Sequence, residues 1–85
     1  MVNAATNEWQ TSDLWECATV LAATGVRLLR VEAPKCGNRA TFILSDNGQC
    51  QPAADAFRLG DAFVNARELM AAVRNCKRRL YDGHE

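Results

Sequence analysis

The chain is poor in the residues and patterns that carry chemistry in small proteins. Its one histidine among 85 residues, His84, falls three positions beyond the last helical pattern. Nothing there would hold a general base in place. The four cysteines stand at 17, 36, 50 and 76. A structural zinc site wants close ligand pairs such as C-x2-C, and none occurs, so no metal is expected. A Gly-rich phosphate loop, G-x-S-x-G and H-E-x-x-H are all missing, so neither enzyme activity nor a cofactor is expected. No apolar run approaches the roughly 18 residues of a membrane span. A basic segment followed by an apolar one is missing from the start, so the expected location is the cytoplasm, with reduced thiols.

Net charge is missing as well. Ten basic residues cancel ten acidic ones, so bulk charge implies no affinity for nucleic acid or membrane. Eighty-five residues leave room for one domain. A chain of this size buries only about 60% of its unfolded surface, which predicts marginal stability or help from a partner. The 48% hydrophobic fraction is rich in alanine, so a thin core is expected.

What is present is local grammar. Residues 1–10 are polar and unpatterned apart from Trp9, which predicts a mobile terminus ahead of a domain over residues 11–82. Thr11, Ser12 and Asp13 are three possible N-caps, with Glu16 three residues after Asp13 as a capping box would place it. Leu14, Cys17, Ala18 and Leu21 then repeat at helical spacing to about Thr24, and Gly25 fits the C′ position. Trp15 and Val20 lie off that stripe. Burial against the hairpin is the favoured reading of Trp15.

Val26–Glu32 and Arg39–Leu44 alternate as strands, joined by a loop that contains Pro34, Gly37 and Asn38, and so read as an antiparallel hairpin. Ser45–Gly48 is a turn. Pro52 then suits the first position of a short helix that runs to about Leu59, burying Ala53, Ala56 and Phe57, with Gly60 as its stop. Asp61–Val64 is a link that could add an edge strand.

Asn65 then caps the longest helix, with Glu68 at N3 and Val64 placed to touch Leu69. Its apolar stripe is Leu69, Met70, Val73, Cys76 and Leu80. Residues 83–85 are a tail. The fold class is α+β, a single small domain in the order α-β-β-α-α, with the hairpin packed against three helices.

Cys17 and Cys76 lie on the apolar stripes of their helices and read as core thiols. Cys36 and Cys50 fall at opposite ends of the hairpin. A six-residue strand rises roughly 20 Å, whereas a disulfide needs Cα atoms within about 7 Å. Exposed, either of these two could cross-link chains on oxidation.

The sequence of motifs resembles a small domain family of unassigned function found in bacteria and their phages. The matching residues are Thr11, Asp13, Leu14, Gly25, Leu28, Val31, Arg39, Phe42, Phe57, Gly60, Val64, Asn65, Ala66, Lys77 and Tyr81, over about residues 11–81. The resemblance implies the same α-β-β-α-α order and transfers no catalytic residue. The four cysteines are not part of its pattern.

Charge distribution carries the functional question. Residues 74–79 hold Arg74, Lys77, Arg78 and Arg79 and no acid. Arg67, Arg74 and Arg78 share the side of the last helix opposite its apolar stripe, with Lys77 and Arg79 at the edges. Arg27 or Arg39 of the hairpin could extend that patch. It reads either as a solvated face whose cations complement the helix C-terminus, as a phosphate-binding face, or as a surface for an acidic protein. Trp9, Trp15 and Phe63 lie off the best stripes and could mark a protein or self-association interface. The expected function is a non-enzymatic binding or accessory module, of phage or mobile-element origin by the resemblance, that contacts a protein. Nucleic-acid binding through the last helix is the alternative.

Overall fold

A computed structural model describes residues 7–32 and 39–82. In chain order the elements are β1 (Glu8–Thr11), α1 (Leu14–Thr24), β2 (Leu28–Glu32), β3 (Thr41–Ser45), α2 (Cys50–Leu59) and α3 (Ala66–Asp82). From α1 onward this is the expected α-β-β-α-α order. The hairpin loop over residues 33–38, with Cys36, and the tail with His84 lie outside the described residues.

The sheet gains a strand the sequence did not suggest. β3 is central, with β1 and β2 antiparallel on either side. Glu8–Gln10, expected to be unpatterned, pair with β3 through Trp9 opposite Leu44 and Gln10 opposite Ile43. A strand of four residues is too short to show alternation, and its partner lies more than thirty residues away in sequence. Asp61–Val64 adds no strand and stays irregular.

The centre of the sheet is buried on both faces. Phe42 and Leu44 join Cys17, Ala18, Val20, Leu28, Cys50, Ala54 and Cys76 in the core, so all three helices pack on one face. Ile43 points to the opposite face and is also fully buried. Its cross-strand neighbours are Gln10 and Arg30. Arg30 reaches from β2 across β3 to β1, where its two terminal nitrogens donate to the Glu8 carboxylate at 3.0 and 3.1 Å. Its Nε donates to Glu32 at 3.2 Å. The apolar stem of an arginine held this way covers the strand beneath it.

Local chemistry sets the helix ends. Asp13 Oδ1 accepts from the backbone N–H groups of Trp15 and Glu16, capping α1. Gly25 closes α1 at φ +74°, a left-handed conformation natural to glycine, and its N–H bonds to Leu21 O. Asn65 Oδ1 caps α3 through the N–H groups of Arg67 and Glu68. α2 begins two residues earlier than Pro52, which sits harmlessly in the first turn, where no N–H is needed.

Three expectations of burial fail. Met70 is 55% exposed and Trp15 is 54% exposed, while Ala72 takes the place of Met70 against the core. In α2 the fully buried residues are Cys50 and Ala54, with Phe57 only half-buried. On α3 and α2 the positions against the core are held by smaller residues, Ala72, Cys50 and Ala54.

Leu44→Ala should lower unfolding free energy by about 2–5 kcal/mol, whereas Met70→Ala should change it by less than about 1 kcal/mol. Urea unfolding at fixed m-value checks both. The Arg30 guanidinium holds the Glu8 carboxyl below its usual range. A depressed carboxyl contributes stability above its unfolded pKa and loses it as pH falls through the folded value. Glu8→Gln should therefore flatten the acid limb of a stability-versus-pH profile, measured by urea midpoints, and leave the neutral region less stable than wild type.

Candidate functional site

The cations named from sequence do not form one face. On α3, Arg67, Met70, Arg74, Lys77, Arg78 and Tyr81 are exposed and fall on one side at helical spacing. Arg79 is turned away from them. Its guanidinium donates to the backbone carbonyls of Leu28 and Leu29 at 3.3 and 2.9 Å. These belong to β2, an outer strand whose unpaired groups would otherwise invite another chain. Arg79 is thus committed to closing the sheet edge, and its place in the predicted binding face is corrected accordingly. The bulge at Leu29 within β2 is the irregularity that this contact spans.

The hairpin arginines divide as well. Arg27 lines a groove of about 570 Å³ between α1 and α3, together with Arg79, Glu68 and Asn75 over a floor that includes Ala22 and Ala72. Arg39 lines a separate depression with Leu14, Phe42 and Leu80. Neither lies in the groove that contains Arg74. The exposed cationic side of α3 therefore comprises Arg67, Arg74, Lys77 and Arg78.

Beside that side lies an apolar groove of about 260 Å³, lined by Trp15, Leu69, Met70, Val73 and Arg74. Trp15 comes from the first turn of α1, which Asp13 orients by capping it. Met70 and Arg74 are one turn apart on α3. The groove thus joins two large exposed apolar side chains to the edge of the cationic stripe. The other aromatics part company. Trp9 packs against the core, and its indole N–H donates to Gln51 at 3.0 Å. Phe63 stands 94% exposed on the α2–α3 link, outside the groove.

A buried carboxylate went unread in the sequence. Glu16 is 3% exposed. It accepts from Thr11 Oγ1 at 2.6 Å and from Arg58 Nε at 2.7 Å. The predicted capping box does not form, because Thr11 Oγ1 takes the Asp13 N–H that Glu16 would have bound. The carboxylate turns inward instead and ties α1 to α2. Each of its oxygens has a partner, so the buried charge is met by hydrogen bonds. The Thr11-x-Asp13 spacing was the available signal for the local half. Arg58, 42 residues from Glu16, gave none.

The remaining chemistry is thiol. Cys17, Cys50 and Cys76 are free and fully buried. The Cys50 thiol contacts Ser45 O at 3.4 Å, so the expectation that Cys50 could be exposed and cross-link chains is corrected. Cys17 and Cys76 meet, with their sulfurs 3.4 Å apart. Among the described residues no group of three or more His, Cys, Asp or Glu side chains could hold a metal ion, and no helix is long and apolar enough to cross a membrane.

Comparison with protein-family models, with curated proteins and with solved structures finds no match for this chain. The resemblance to the bacterial and phage family therefore rests on the residues quoted for it alone.

Arg79→Ala should cost about 1.5–3 kcal/mol through loss of its charge-assisted bonds to the β2 carbonyls. Arg78→Ala, one residue away, should stay within about 0.5 kcal/mol. Equal effects on the denaturant midpoint would contradict the division of labour described here.

Proposed function

We propose that this chain is a non-enzymatic protein-binding module that contacts its partner through the Trp15–Met70 groove and the adjoining cationic side of α3. The observation that supports this reading is the groove itself. Two large apolar side chains, each more than half exposed, sit together between helices that are otherwise well packed. Exposed tryptophan and methionine next to arginine match the composition of interaction hot spots. The cations Arg67, Arg74, Lys77 and Arg78 favour a partner with acidic residues around an apolar anchor. They also disfavour two copies meeting through this side, since like charges would face each other. Enzyme activity gains no support, because Glu16 is fully engaged and Arg79 is spent on the sheet edge.

Nucleic-acid binding is the second reading. Its support is the acid-free segment 74–79, whose exposed Arg74, Lys77 and Arg78 share a side of α3 with Arg67 and Tyr81, a phosphate-tracking stripe with one aromatic. The removal of Arg79 from that stripe, and of Arg27 and Arg39 to other places, leaves it narrow. Origin in a phage or mobile element follows from the resemblance and is proposed on that ground only. The cytoplasm remains the proposed location.

An amphipathic peptide with leucine and phenylalanine on one face and glutamate on the other should bind the wild-type chain in a fluorescence-anisotropy titration. Trp15→Ala with Met70→Ala should weaken it at least tenfold while the fold, followed by circular dichroism, persists. Mixed-sequence DNA and RNA at about 50 mM salt provide the contrast, since non-specific binding is strongest there. Retention of nucleic acid that Arg74→Glu with Arg78→Glu abolishes, together with indifference to the peptide, would favour the second reading. A dimer by size-exclusion light scattering that Trp15→Ala dissolves would make a second copy the partner. A monomer that binds none of these would overturn both readings.

A further inference from the structure

The packing of α1 against α3 brings two thiols together. Cys17 Sγ and Cys76 Sγ are 3.4 Å apart, with both residues fully buried and 59 positions apart in sequence. Theirs is the one hydrogen-bonding contact between these two helices among the described residues. A core thiol ordinarily serves as a small hydrophobe among apolar neighbours. Here each thiol meets the one side chain with which it can form a covalent bond. We propose that Cys17 and Cys76 are an oxidation site, a reversible intramolecular disulfide that staples α1 to α3, with a small peroxide as oxidant.

Geometry supports this first. A disulfide needs its sulfurs at about 2.05 Å, a closure of roughly 1.4 Å from the 3.4 Å contact. The surroundings support it second. Either sulfur can donate the proton they share, but their neighbours are not alike. The Glu16 charge acts on Cys17 and the Arg79 charge on Cys76. Hydrogen bonding to Cys76 and burial push the Cys17 thiol up, whereas the hydrogen bond from Cys17, with Arg79, pulls the Cys76 thiol down. In the proposal Cys76, on the side of the Arg79 charge and away from that of Glu16, is the attacking member.

Cys76 is fully buried and does not line the α1–α3 groove, but Ala72 and Arg79, one turn to either side of it on α3, do, so the proposal requires an opening between them that admits a small oxidant.

The chemistry balances. The Cys76 thiolate sulfur attacks one peroxide oxygen, the O–O bond breaks, and the departing hydroxide takes up the proton Cys76 had released, giving water. The Cys17 sulfur then attacks the sulfur of the Cys76 sulfenic acid. The S–S bond forms as the S–OH bond breaks, and that hydroxide leaves with the Cys17 proton as a second water. Two electrons pass from the two thiols to the O–O bond.

Each cysteine falls on a different fragment when the chain is cut after lysine and arginine, with Cys17 on residues 1–27 and Cys76 on 75–77. The full chain, treated with one equivalent of hydrogen peroxide, unfolded in an alkylating agent and digested without reductant, should yield these two fragments joined and two hydrogens lighter. Dithiothreitol should separate them. The oxidised chain should melt at least about 10 °C higher than the reduced one, because the closed loop is long. Cys50→Ala should keep the link, and Cys76→Ala should lose it. Cys17 and Cys76 recovered as alkylated free thiols from the wild-type chain, or either one joined to Cys36 or Cys50, would overturn the proposal without recourse to any variant.

Discussion

Every layer of this fold is hung on β3. Its three central side chains, Phe42, Ile43 and Leu44, are all but inaccessible to solvent, and both other strands hydrogen-bond to it. A middle strand in so small a protein must be covered on both faces, yet there are helices enough for only one. The helical face takes the hydrophobic core. On the other face Arg30, the β2 partner of Ile43, is strapped between Glu8 and Glu32. Surface ion pairs contribute little by themselves. This one also fixes the arginine stem beside the β3 position of Ile43.

The same shortage of apolar volume shapes the core. Three of its nine buried members are cysteines and two are alanines. Small side chains let α1 approach both α2 and α3, but they bury little area per residue. The interfaces are therefore reinforced by specific contacts: Glu16 with Arg58 between α1 and α2, the paired thiols between α1 and α3, and Arg79 between α3 and β2. A buried carboxylate is costly unless its lone pairs are met, and Thr11 and Arg58 together meet those of Glu16. Glu16, Arg58 and Arg79 are engaged in these contacts, so the functional reading rests on the exposed side of α3 and the groove beside it.

Legibility from sequence followed the range of the interaction. Features written within four or five residues were readable: the Asp13 and Asn65 caps, the Gly25 and Gly60 stops, the alternation of Phe42, Ile43 and Leu44, and the inward placement of Cys17 and Cys76. Features that need a distant partner were not. β1 is too short to announce itself and exists because β3 has a free edge. Glu16 looked like a capping residue because Arg58 is far away in sequence. Met70 fitted the α3 stripe as well as Ala72 did, and only the close approach of α1 decides between them.

The cationic helix shows the same limit at the level of function. A helical wheel places Arg79 at the margin of the basic side, and sequence alone cannot tell a margin that faces solvent from one that faces a strand. Two backbone carbonyls on β2 decide it. An arginine held by fixed acceptors cannot also follow a phosphate chain, since its donors are already aimed. The cations that remain border Trp15 and Met70, so charge and apolar area meet along one line. A phosphate backbone would use only the charge. A protein segment with acidic flanks and an apolar anchor would use both, and that asymmetry favours protein over nucleic acid as the partner.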